Sequence, residues 1–81
     1  MKLDIYRRPE PQHKLSFMAV PAGQPIRAEA DNIDWKLVAS AHEIDVEKDT
    51  LPEYGIDKPA AQIREKGYAI TSVYHQIEAD G

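Results

Sequence analysis

The chain has 81 residues and no cysteine; 42% of its residues are apolar, 30% are charged, and its net charge is −4. That length holds one core, since a domain takes about 50–250 residues, and the missing thiols exclude a disulfide-stapled scaffold. No apolar run approaches the roughly 18 residues of a membrane-spanning helix, and an acidic chain has no general attraction for nucleic acid or anionic lipid.

Ten of the apolar residues are alanine, so 24 larger side chains must build the core, and eight of these are isoleucine against four leucines and four valines. The β-branched bias favours strands over a helical bundle. A chain of this size buries only about 60–65% of its unfolded surface, which sets an expected stability of roughly 4–12 kcal/mol. Charge is uneven: residues 1–40 are net +1, and residues 41–81 are net −5. The opening MKLDIYRRP lacks the apolar stretch of a signal peptide, so the expected location is the cytoplasm.

Residues 2–8 alternate, with Leu3 and Ile5 on one side and Lys2, Asp4, Tyr6 and Arg8 on the other, the period of a half-buried strand. Pro9 and Pro11 end it in a loop. Residues 14–20 form a second strand, apolar on both sides, with Leu15 and Phe17 opposite Met18 and Val20. The two strands are close enough to pair as an antiparallel hairpin. Residues 21–34 make a long connection with at most one helical turn near Arg27 to Ala30, a length that marks a functional or mobile loop.

Residues 33–46 fit two patterns. As a strand, Trp35, Leu37, Ala39 and Ala41 alternate with Lys36, Val38, Ser40 and His42; as a helix, Ile33, Leu37, Ala41 and Ile44 share a face. The polar alternation of EIDVEKD favours the strand, which would cover the second strand, and the helix stays open. Thr50 to Glu53 has the form of a capping box for one short turn, stopped by Gly55. Asp57 to Gly67 is predicted as the helix: Asp57 as N-cap, Pro59 in the first turn, basic residues in the last turn and Gly67 as the left-handed stop. Residues 68–74 are β-branched and aromatic and predict the last strand, and residues 76–81 a frayed tail. The order strand-strand-strand-helix-strand describes a single α+β domain over residues 1–81, a small mainly antiparallel sheet with one helix on one face.

Chemistry-bearing patterns fail one by one. His13, His42 and His75 lie in separate elements, and His42-Glu43 begins a zinc-protease motif that Val46 breaks. Ser16, Ser40 and Ser72 have no nucleophile elbow. The acidic run Glu43, Asp45, Glu47, Asp49, Glu53 lacks the glycine of a calcium loop. Four scattered glycines make no phosphate cradle. Lys2, Tyr6, Arg8 and Lys14, with rings from Phe17, Tyr68 and Tyr74, have the composition of a stacking surface for single strands, yet the RNA-recognition signature is absent. No metal, cofactor or catalytic residue is expected.

The opening LDIYRRPE, the isolated Trp35 and the closing PAAQIREKGYAI resemble a family of short bacterial proteins that form a domain of unknown function. The resemblance implies a bacterial origin, a cytoplasmic location and no assigned activity.

The expected function is a non-enzymatic protein-binding or assembly module that contacts a protein partner, or its own copy, through the sheet. Tyr6, Arg8, Met18, Trp35 and Tyr74 are the candidate contact residues, because tyrosine, tryptophan, arginine and methionine enrich interfaces; each is also compatible with the core, and for Trp35 the core is the stronger reading. The alternative is a small-ligand-binding or enzymatic domain in which loop 21–34 closes over Trp35.

Overall fold

The structure, a computed structural model, describes residues 1–24, 35–72 and 74–78. The loop residues 25–34 lie outside them, and with them the helical turn expected near Arg27 and the lid expected over Trp35. β1 (Lys2–Glu10) and β2 (Lys14–Pro21) form the expected hairpin, in register from Leu3 opposite Pro21 to Glu10 opposite Lys14. The turn between them, Pro11 to His13, holds Gln12 and His13 at φ 64° and 59°. Neither is glycine, and each carries about 1–2 kcal/mol of left-handed strain.

Residues 36–43 are a strand, which settles the ambiguous segment. β3 (Lys36–Glu43) lies antiparallel to β1, not over β2 as expected. The main sheet runs β3-β1-β2-β6, with β6 (Ala69–Ile70) and β7 (Ile77–Glu78) sharing the far edge of β2. Within the segment expected to fray, Ile77 pairs with Leu15 and Glu78 with Lys14, and the Lys14 ammonium donates to Glu78 at 2.7 Å. β4 (Thr50–Leu51) and β5 (Ile56–Asp57) make a small hairpin, tied to the sheet through a bridge between Ile56 and Thr71. Thr50 is therefore a strand residue and not a helix cap, although the turn expected after it does form at 52–55.

The helix α1 (Pro59–Lys66) starts with Pro59 and stops at Gly67 with φ 87°, as its sequence predicts. Asp57 is not its N-cap. It is committed to the β5 ladder opposite Thr50, and Lys58, in the left-handed region, occupies the cap position without a side-chain hydrogen bond. Gln62 anchors the helix instead: its amide donates to the Asp57 carbonyl at 2.6 Å and accepts from the Ile70 N–H at 3.0 Å.

Alternation along the hairpin divides the apolar residues between two cores. On one face Leu3, Ile5 and Ala19 pack with Ile44, Val46, Leu51, Ile56 and Ala69, with Ala60 and Ile63 of α1 against them. On the other, Met18, Val20, Trp35 and Tyr68 form a smaller cluster flanked by Tyr6 and Ile70. The architecture is a small α+β fold, mostly antiparallel sheet with one helix.

Candidate interaction surface

Four of the five candidate contact residues, Tyr6, Arg8, Met18 and Trp35, come together at the second face. Tyr6, Met18 and Trp35 meet there, and the Arg8 guanidinium lies 4.5 Å from the centroid of the Trp35 ring while its nitrogens donate to Glu10 at 2.8 Å. The cause is the period of two: Tyr6 and Arg8 of β1 face the same way as Met18 of β2, because Tyr6 and Met18 are cross-strand partners. Met18 has no exposed surface and Trp35 only 7%, so these two are core side chains of this face. The Trp35 Nε1 is buried and finds no acceptor among the described residues. Tyr74 is apart from the cluster and 89% exposed. The rings of the proposed stacking set are split: Tyr6 and Tyr68 belong to this face, while Phe17 packs on Tyr54 in the other core.

The outer edge of β3 presents a different surface. No described strand pairs with it on that side, and of its eight residues only Ala39 is even half-buried. Leu37 and Val38 are 53% and 45% exposed. Val38 is the extra residue in one of two irregularities of the β1–β3 ladder, since Ile5 faces Ala39 and Tyr6 faces Leu37. The other irregularity lies near Ala41, at φ 51°, whose N–H donates to Asp4 Oδ1 at 2.8 Å. A bulge of this kind bends a strand and sharpens its twist. Sequence reasoning passed over Leu37 and Val38, although one signal was present: Val38 is an apolar residue in the row Lys36, Ser40, His42.

The three histidines stay in separate places: His13 in the hairpin turn, His42 opposite Leu3, and His75 beside Asp57. Among the described residues no group of three or more acidic or histidine side chains could hold a metal ion. His75 was not singled out as half of a pair, yet its Nδ1 lies 3.2 Å from Asp57 Oδ2, at a cavity of about 280 Å³ shared with Thr50, Pro52, Gly55 and Ile56. Gly55 permits this arrangement: a Cβ there would come within 2.0 Å of the His75 carbonyl oxygen, and its φ is +63°.

Two carboxylates at strand ends are held below their ordinary range. The N-terminal amine donates to Glu43, which pins Met1 beside the end of β3, and adds its charge and that of Lys2. The hydrogen bond from Lys14, with its charge, acts the same way on Glu78. Burial pushes the Tyr54 phenol up, aided by Glu53. These effects fasten the sheet and supply no acid or base to a closed site.

A model of one protein family matches residues 1–77. The chain belongs to the family of unknown function DUF6139. The match reaches from Met1 into β7, so it takes in both cores and the β3 edge. No curated protein and no solved structure matches the chain significantly. No helix among the described residues is long and apolar enough to cross a membrane.

Proposed function

We propose that this DUF6139 chain is a non-enzymatic protein-binding or assembly module that docks a partner strand along the outer edge of β3. The observation that carries the reading is an eight-residue strand, unpaired on its outer side by any described strand, with two adjacent apolar side chains, Leu37 and Val38, about half exposed. An unpaired edge offers a row of N–H and C=O groups that a partner strand completes, and side chains beside it supply selectivity. The contact surface centres on Leu37 and Val38 and extends to Tyr6 and Arg8 on the adjoining face; Met18 and Trp35 support that face from beneath. The setting we infer is a bacterial cytoplasm, on the resemblance of LDIYRRPE and PAAQIREKGYAI to short bacterial proteins; fractionation of the source cells checks it.

The test places a photo-cross-linking residue at position 38 in cells, with position 53 in the exposed β4–β5 turn as control. The expected adduct forms at 38 alone, maps to one extended segment of one protein, and disappears in Leu37→Lys. Equal, scattered adducts from both positions would remove the support.

A second reading, small-ligand binding, draws on the cavity beside His75 and Asp57. An imidazole whose Nδ1 is engaged by a carboxylate keeps Nε2 as an acceptor. A thermal-shift screen against a metabolite panel tests it, since a ligand of the native state raises apparent stability. The expected hit is lost in His75→Ala, and a flat screen counts against this reading.

A further inference from the structure

We infer that the cavity between His75 and the β4–β5 hairpin binds a small protonated amine carried on an apolar body of about one ring. The inference rests on the second reading, that this cavity takes a small ligand, and adds the chemical class of that ligand.

The hydrogen-bonding groups of the cavity carry it. Thr50 and Asp57 are cross-strand partners, so their side chains rise from the same face of the hairpin. His75 is held against them by backbone: the Ser72 N–H donates to the Gly55 carbonyl at 3.0 Å, and the His75 N–H to the Ser72 carbonyl at 2.9 Å. With Nδ1–H given to Asp57 Oδ2, the imidazole Nε2 and Asp57 Oδ1 remain as two acceptors. Donors are scarce. The Gly55 N–H is spent on the Pro52 carbonyl and the His75 N–H on Ser72, and Pro52 has none. Of the described lining side chains, only the Thr50 hydroxyl can still donate. A ligand that fits must bring its own donors, and an ammonium group brings three.

Charge selects the same class. Asp57 and His75 are the only ionisable groups among the described lining residues. With Asp57 ionised, the pair is negative beside a neutral imidazole and neutral beside a protonated one, and in neither state positive. An anion therefore gains no attraction, whereas a cation gains a charge-assisted hydrogen bond to the carboxylate. Lys58, the next residue, borders a separate cavity against α1 with Lys48 and Arg64. Pro52, Gly55 and Ile56 supply apolar lining, and the volume of about 280 Å³ falls just under the roughly 300–1,000 Å³ of drug-sized sites, which sets the body at about one ring. The side chains of His75 and Asp57 are 58% and 44% exposed, so water screens the pair and binding is weak.

The test titrates the isotope-labelled full chain with benzylamine, benzyl alcohol and benzoate, which share a ring and differ in charge. Amide shifts at Thr50, Gly55, Ile56, Asp57 and His75 are followed. Benzylamine should saturate them with a Kd of about 1–10 mM, as suits a ligand this small. Benzyl alcohol should bind about fivefold more weakly, and benzoate should leave the shifts unmoved. Asp57→Asn should bring benzylamine down to the level of the alcohol. His75→Ala, at an exposed side chain outside the β4–β5 ladder, should weaken benzylamine about threefold. Equal or tighter binding of the alcohol or benzoate at these amides overturns the amine and keeps the cavity as a ligand site, as does amine binding that Asp57→Asn leaves unchanged. No shift from any of the three overturns the amine, and a flat metabolite screen beside it overturns the ligand cavity as well.

Discussion

β2 and β3 invite comparison, because KLSFMAVP and KLVASAHE are both eight residues long, begin with the same Lys-Leu and are paired to β1. β2 buries Ser16, Met18, Ala19 and Val20, and β3 buries none of its residues. The difference lies in what stands on the far side of each strand. β2 has β1 on one edge and β6 and β7 on the other, with a core on each face; among the described residues β3 has a neighbouring strand on one edge only. An alternating pattern thus states that a strand has two faces, and its place in the sheet states whether either is covered.

The largest effect should come from breaking the interior strand. Met18→Ala empties a fully buried site and should cost about 2–5 kcal/mol, while Leu37→Ala on β3 should stay within about 0.5 kcal/mol. Denaturant unfolding of the two variants side by side measures the contrast; equal losses would mean that the edge is as well packed as the centre.

Next comes the closure of β2's far edge. The buried Thr71 hydroxyl accepts from the Phe17 N–H at 2.7 Å and donates to the Tyr54 carbonyl at 2.6 Å. Thr71→Val strands both partners and should cost about 1–3 kcal/mol, with faster amide exchange at Phe17. On the β3 side, Asp4→Ala removes the acceptor of the Ala41 and Gly23 N–H groups and should cost about 0.5–1.5 kcal/mol. Its exchange signature should be confined to β3 and the turn after β2.

The smallest effect is a pH dependence of the strand ends. Glu78 and Glu43 are held below the ordinary carboxylate range by Lys14 and by the N-terminal amine. A lowered folded-state value means stability that is present above about pH 4, the unfolded range, and is lost as pH falls through the lowered value. Amide exchange at Leu15 and Ile77 should therefore speed up on acidification, relative to the chain's intrinsic rate, and Glu78→Gln should already show the loosened state at neutral pH. Pairing of β7 unaffected by acid would show that backbone bonds alone retain it.

Much of this fold could be read before it was seen. Period two located β1 and β2 but fitted residues 33–46 no better than a helical period did; Pro59 and Gly67 bounded the helix, and isoleucine bias announced a strand-built core, because each signal is local: a side chain's direction, a fixed φ, a residue without Cβ. The grouping of the candidate contact residues was legible only within the hairpin. Tyr6, Arg8 and Met18 share a face by period and hairpin register, whereas Trp35 joins them only because β3, which follows it, pairs with β1, and which of them water reaches depends on what packs above. Asp57 makes the same point in reverse: its local context is that of a helix cap, and a ladder to Thr50 with His75 alongside claims it instead. The sequence by itself determined the elements and their two-sidedness. Only the tertiary structure decided that β1 takes the position between β3 and β2, and hence that Leu37 and Val38 lie on the outermost of the described strands, because the order of strands in a sheet is set by contacts distant in the chain.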